Sequence, residues 1–182
     1  HLRYASAASR FRAMALFPCC AARRAASSRA MASRFGDRCA RARRDDPAVR
    51  QWLKAPVPAV FVNRRHRGGH SVSMREEDAA RLAAGHLLAL GHTRLAHIAG
   101  PANLDTAVRR VRGFRAAVRE AGHRAPIVPV AFDEPGGWRA MGQLLARARP
   151  PTGVFVSNIN QALGALAAAK RHGVAVPEQM SL

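Results

Sequence analysis

Short apolar runs alternate with amphipathic segments along residues 57–173, and this alternation restricts the possible folds more than any other feature of the sequence. The runs at 57–62, 94–99 and 153–157 have the length of strands that are buried on both faces. Pro129 interrupts a further run and predicts an edge strand there, because proline cannot donate to the ladder of a central strand. Strands that alternate with helices of about 10–15 residues predict an α/β fold with parallel sheets.

Four helices are predicted between and after these strands. The first is expected to begin at an Asp78 cap and to end before Gly91, because glycine readily adopts the left-handed conformation that closes a helix. The last is predicted over residues 160–171. Its apolar stripe, which includes Leu163 and Leu166, is expected to face the core.

The net charge of +19 is concentrated at the N-terminus. Residues 1–44 hold eleven arginines and one aspartate, so this segment carries +10 and residues 45–182 carry +9. The segment is rich in Ala, Arg and Ser and has no sustained period, which predicts a disordered tail or a stretch that is not native to the fold. Two other interpretations stay open, namely a basic arm that binds nucleic acid and a targeting segment.

Several classes of function find no support in the sequence. No apolar run approaches the roughly 18–20 residues that span a bilayer. The three cysteines match neither a zinc site nor a disulfide framework, and His86, His92 and His97 are spread over a helix, a loop and a strand without ligand spacing. A nucleophile elbow, a phosphate-binding loop and a dinucleotide fingerprint are not found. We therefore expect no metal, no cofactor, no membrane contact and no enzymatic activity.

Four motifs follow one another in residues 45–182. They are ARLAAGHLLALGHTRLAHIAGP at 80–101, RVRGF at 110–114, PTGVFVSN at 151–158 and GVAVPEQMS at 173–181. In order and spacing they resemble the lactose-repressor (LacI) family of transcriptional regulators. Several linked motifs make this resemblance more specific than any single glycine pattern.

The resemblance implies an α/β domain of two lobes with parallel sheets, like that of periplasmic binding proteins. Residues 45–124 would form part of the N-terminal lobe and residues 125–182 the first half of the C-terminal lobe, so the domain is expected to be incomplete at both ends. The implied function is the effector-binding core of a cytoplasmic regulator. Operator DNA would be bound through a helix-turn-helix that is absent from this chain, and the complete protein is expected to be a homodimer.

The resemblance also implies which side chains contact a sugar-like small-molecule effector. Arg110 is the first candidate, because a guanidinium donates parallel hydrogen bonds to hydroxyls or carboxylates. The other candidates are two amides that follow strands, a hydroxyl, an aromatic platform and a residue that lines the cleft: Asn63, Asn158, Thr106, Phe132 and Met74.

Two residues depart from the family's pattern. Ile159 and Arg75 each stand where family members often have an acid, and Ile159 puts either ligand binding or the start of the following helix in doubt. Two other functions remain as alternatives to the one that the resemblance implies. One is an extracytoplasmic sugar-binding protein of similar fold, and the other is a nucleic-acid-binding protein that acts through residues 1–44.

Overall fold

The computed structural model describes residues 46–54 and 60–182, which belong to two compact units that divide between Ser73 and Met74. The predicted character of residues 1–44 lies outside the described residues. Each unit has its own apolar core and is described separately below.

The first unit contains one helix and a pair of parallel strands. These elements are α1 (Pro47–Lys54), β1 (Val60–Val62) and β2 (His70–Val72). Val49 and Phe61 are buried against one another, and Leu53 packs on them. The run predicted at 57–62 forms a strand over its described residues, Val60–Val62, and the partner of this strand is the next extended stretch of the chain.

The second unit is built from three strands and four helices among the described residues. In chain order they are α2 (Glu76–Ala89), β3 (Leu95–Ala99), α3 (Asp105–Glu120), β4 (Ile127–Pro129), α4 (Glu134–Leu145), β5 (Gly153–Val156) and α5 (Ile159–Arg171). The strands are parallel and lie in the order β4-β3-β5. This arrangement confirms the predicted α/β class, and Pro129 lies on an edge strand of the described sheet as expected.

The predicted boundary between residues 124 and 125 is wrong as a division between lobes. β3 precedes that boundary and β4 and β5 follow it, yet Ile98 pairs with Val128 on one side and with Val156 on the other. The hydrogen bonds of one sheet therefore cross the expected boundary. The compact units divide at residues 73 and 74 instead, before α2.

Strand β3 is buried on both faces and separates two apolar cores. Successive side chains of a strand point to opposite faces, so Leu95 and His97 face α2 and α3, whereas Ala96 and Ile98 face α4 and α5. Phe114 of α3 is among the residues of the first core, and Met141 of α4 is among those of the second. The continuous apolar run of β3 in the sequence reflects this two-sided burial.

The helix ends follow the sequence signals only in part. Gly91 has a positive φ of 85° just after α2, as the predicted C-terminal stop requires. The start of α2 is corrected to Glu76, so Asp78 lies in the first turn rather than at the cap. The burial of α5 is also corrected, because Leu163 and Leu166 are exposed and small residues such as Ala165 and Ala168 face the sheet instead.

The helices after the three strands do not all lie on one face of the sheet. α3 packs with α2 on one face, and α4 and α5 pack on the other. The chain leaving β3 therefore diverges from the chains leaving both neighbouring strands. We call this point of divergence the crevice, because α/β proteins bind their ligands where neighbouring chains diverge at the carboxyl ends of parallel strands.

Candidate functional site

The crevice at the carboxyl end of β3 has an aromatic side chain against its backbone. A Cβ atom at Gly100 would lie 2.0 Å from Cζ of Phe132, so only glycine allows this ring to lie where it does. Phe132 follows β4 and is half-buried. One flat apolar surface is thus fixed between the loops that follow β3 and β4, and the platform role of Phe132 stays a prediction.

Arg110 of α3 lies where three segments of the second unit converge. Its Nε donates to Oε2 of Glu76 at 2.6 Å, and its Nη1 donates to the main-chain carbonyl of Ser157 at 2.6 Å. The Arg110 side chain is 23% exposed, whereas the Glu76 side chain is 3% exposed. Two hydrogen bonds therefore hold the guanidinium in place while part of it remains accessible at the crevice.

His97 lies beneath Ser157 in the α2–α3 face of the sheet. Its Nε2 is 2.7 Å from Oγ of Ser157, and its ring is 5.0 Å from the Phe114 ring and 4.6 Å from the Phe155 ring. Burial, and secondarily the charges of Arg110 and Arg115, lower the pKa of His97 to about 3. The imidazole is therefore neutral at physiological pH and supports the residue on which Arg110 rests.

Arg109 neighbours Arg110 in sequence and has a different role. It is buried, its Nε donates to Oδ2 of Asp105 at 2.9 Å, and its Nη1 donates to the carbonyl of Met74 at 2.8 Å. The Met74 side chain, predicted to line the cleft, is 62% exposed. Arg109 thus fixes the backbone of Met74, the first residue of the second unit.

Asn158 follows β5 and caps α5. Its Oδ1 accepts a hydrogen bond from the backbone N–H of Asn160 at 2.9 Å, and the helix begins at Ile159. The apolar Ile159 therefore does not prevent the helix from starting. Thr106 is buried on α3 one turn before Arg110, so the two residues share a face of that helix.

Gln161 of α5 ties two of the loops at the crevice together. It is fully buried, and its Nε2 donates to the carbonyl of Ala99 at 3.1 Å and to that of Ala131 at 3.0 Å. These carbonyls lie at the ends of β3 and just after β4. Gln161 is not among the residues predicted from the sequence, although a lone amide on the inward face of an alanine-rich helix indicates a buried polar contact.

Asn63, the remaining predicted residue, lies in the first unit just after β1. Its φ of 58° is left-handed, a conformation that asparagine tolerates better than most residues, and its N–H donates to the carbonyl of Val72 at 2.9 Å. The structure thus brings Arg110, Thr106, Asn158 and Phe132 into one unit at one end of the sheet. Asn63 is part of the other unit.

Residues 46–54 and 60–182 contain no group of three His, Cys, Asp or Glu side chains that could hold a metal ion. Over the same residues no helix is both long and apolar enough to cross a membrane. The polar groups at the crevice are hydrogen-bond donors and acceptors, which suits recognition of a polar ligand.

The sequence of the chain is similar to a known domain family and to a known repressor. The sequence profile of the periplasmic binding protein-like domain matches residues 84–182. The HTH-type transcriptional repressor PurR of Escherichia coli O1:K1 / APEC is 38% identical over 139 residues, which are 74% of this chain and 38% of PurR.

Two solved structures extend the comparison to three dimensions. A LacI family transcriptional regulator from Mycobacterium smegmatis has a TM-score of 0.69 and 35% identity, covering 76% of this chain and 52% of that one. A sugar-binding regulator of the LacI family from Escherichia coli, complexed with phosphate, has a TM-score of 0.66 and 27% identity, covering 74% and 50%. The chain thus spans about half the length of these solved relatives.

Proposed function

The chain belongs to the periplasmic binding protein-like domain family, in the form found in LacI-type transcriptional regulators, and we propose that it is the effector-binding core of such a regulator. The observation that carries this proposal is the placement of Arg110. Its guanidinium lies at the carboxyl end of the sheet, is held on two sides by Glu76 and Ser157, and still has N–H groups to offer. A donor that is fixed before the ligand arrives loses little entropy on binding.

The proposed effector is a small, sugar-like molecule with several hydroxyl groups. Arg110 would donate to its oxygens, Phe132 would pack against a flat face of its ring, and Asn158 and Thr106 would add polar contacts. The name of one solved relative supports this class of ligand, since that protein is described as sugar-binding.

The proposed mechanism is a shift between two conformations of the whole regulator. The effector would favour one of them only if it binds that conformation more tightly than the other. DNA would be contacted through a helix-turn-helix, as the name of the PurR relative implies for that protein. This function is cytoplasmic and not enzymatic. It is preferred to an extracytoplasmic binding protein or to DNA binding through residues 1–44, since the relatives are described as transcriptional regulators.

Self-association is the second part of the proposal, and the outer face of α5 supports it. Ile159 is 69% exposed, and Leu163 and Leu166 follow it at helical spacing with 49% and 39% exposure. Three large apolar side chains in a row on one exposed helix face are typical of an interface. We expect a homodimer that Leu163→Arg dissociates, as measured by sedimentation equilibrium. Arg112→Met, a change on the exposed surface of α3, is the control.

The effector site is tested by calorimetric titration of the 182-residue chain with a panel of neutral pentoses and hexoses. Arg110→Met is expected to weaken binding by about 10- to 100-fold, the usual range for the loss of charge-assisted hydrogen bonds. Arg112→Met is the matched control, because Arg112 is exposed two residues further along α3. Equal affinities of the wild type and Arg110→Met would remove Arg110 from the site.

A further inference from the structure

Glu76 is a buried acid at the crevice and is not among the residues predicted from the sequence. It is the first residue of α2, is 2% exposed, and accepts the Nε hydrogen bond of Arg110 at 2.6 Å. Removing a carboxylate from water costs free energy that only a close, well-placed cation can offset. An arginine whose only role is to bind a ligand does not need a buried carboxylate beside it. The Arg110–Glu76 pair therefore points to an effect of Glu76 on which ligand binds.

Two neighbouring arginines of α3 are each paired with an acid. Arg110 pairs with Glu76 at 2.6 Å, and Arg109 pairs with Asp105 at 2.9 Å. These two pairs are neutral in a chain whose net charge is +19. Arg110 is therefore not the uncompensated cation that usually binds an anionic group.

The geometry of the guanidinium limits what else it can hold. Of its five N–H groups, one on Nε donates to Glu76 and one on Nη1 donates to Ser157, which leaves three for a ligand. A neutral hydroxyl oxygen can accept from these groups without penalty. An anion on the same guanidinium would face the Glu76 carboxylate at close range, and like charges brought together in a partly buried site repel strongly.

From this arrangement we propose that Glu76 is a specificity-determining residue. It makes the site select an uncharged, hydroxyl-rich effector and reject a similar molecule that carries a phosphate or carboxylate. The inference rests on the function proposed above and adds the charge of the ligand to it. It also separates this chain from any relative whose site accepts an anion.

The test uses inorganic phosphate as the anionic probe and the full 182-residue chain. Phosphate is titrated into the wild type, Glu76→Gln and Glu77→Gln. Glutamine keeps the size and the acceptor oxygen of Glu76 but removes its charge, and Glu77 is an exposed acid in the same helical turn. Glu76→Gln is expected to bind phosphate at least about tenfold more tightly than the wild type, whereas Glu77→Gln should match the wild type.

Two results would overturn the role of Glu76. One is an equal phosphate affinity in the wild type and Glu76→Gln, and the other is an equal gain in both glutamine variants. A measurement on the wild type alone covers the case in which Glu76→Gln does not fold. The Nε–H resonance of Arg110 should stay unchanged when phosphate is added, and a saturable shift of that resonance would contradict the proposal.

The phosphate experiment and the sugar titration test separate proposals, so either proposal can be wrong while the other stands. If no neutral sugar binds while Glu76→Gln gains phosphate affinity, the sugar-like effector class is wrong and the charge selection by Glu76 stands. If sugars bind through Arg110 but phosphate binds the wild type equally well, the effector-binding function stands and Glu76 does not determine specificity.

Discussion

The two faces of the β4-β3-β5 sheet bury different kinds of side chain. The α4–α5 face is packed with residues such as Ile98, Met141 and Ala165, and its buried polar residue among those described is Gln161, at the carboxyl end. The α2–α3 face also has an apolar core, but it buries His97 and, near the crevice, Glu76. Buried polar groups cost stability unless they are paired, so the α2–α3 face gives up some stability to hold groups of the proposed site.

Truncating one large core residue on each face should give the largest effects. Phe114→Ala is expected to cost about 3–5 kcal/mol and Met141→Ala about 2–5 kcal/mol of unfolding free energy, since both side chains are fully buried. The two variants should also differ in how their stability depends on pH. Phe114 packs on the His97 ring, so only its removal should also reduce the pH dependence of stability between pH 7 and 5. Urea denaturation at the two pH values measures both effects, and an equal pH dependence in the two variants would contradict the assignment of His97 to one face.

A close approach of α4 and α5 should make one glycine far more sensitive than another. A Cβ atom at Gly164 would lie 2.0 Å from the carbonyl oxygen of Glu134, whereas a Cβ atom at Gly142 meets nothing within 4 Å. Gly164→Ala is expected to destabilise by about 1–3 kcal/mol or more, because backbone must move. Gly142→Ala should stabilise by roughly 0.5–1 kcal/mol, since alanine favours the helix. Thermal unfolding of both variants decides the matter, and effects of the same sign would exclude the tight contact.

His97 should give the α2–α3 face a pH dependence of its own. Its pKa is about 3 in the folded chain and near 6.5 when unfolded, so below pH 6.5 the unfolded chain binds a proton that the folded chain excludes. Stability is therefore lost as the pH falls from 6.5 towards 3, by about 2 kcal/mol between pH 7 and 5. His97→Gln removes the titrating group. The difference between the two pH profiles isolates His97, and parallel profiles would show that the imidazole is not buried as described.

The smallest effect is expected on the outer side of α2 and α3. Arg81 donates two hydrogen bonds to the carboxylate of Glu120, at 3.0 and 2.5 Å, and this contact lowers the pKa of Glu120. Both side chains are largely in contact with water, where ion pairs contribute little. Arg81→Met should leave the urea midpoint unchanged. A clear decrease would mean that this pair, and not only the Arg110–Glu76 pair, holds the two helices together.

Much of the fold follows from local patterns in the sequence. The apolar run of β3, the position of Pro129 and the stop at Gly91 each predict the observed element, because strand length, a missing donor and a left-handed residue act within a few residues. The lobe boundary was missed for the opposite reason. Which strands pair is decided by contacts between distant residues, and the pattern of 94–99 does not reveal that its partners lie at 127–129 and 153–156.

The site residues likewise divide into those that the sequence predicts and those that only the three-dimensional contacts reveal. The resemblance directs attention to Arg110, Phe132 and Asn158, and the structure places them in one unit at one end of the sheet. Glu76 lies 34 residues from Arg110, and the contact between them depends on how α2 packs on α3. Likewise, the apolar stripe of α5 was expected to face inward, but small residues allow closer packing on the sheet, and Leu163 was left outside.

The amide of Gln161 has a consequence for how such a domain changes its ligand. Because one side chain bonds to the carbonyls of both Ala99 and Ala131, the two segments that border the crevice are joined below their surface rather than at it. Residues that line the crevice can therefore be substituted during evolution without changing the distance between the two segments that carry them. A redesign of this domain for a different ligand should vary Phe132 and its neighbours and leave Gln161 in place.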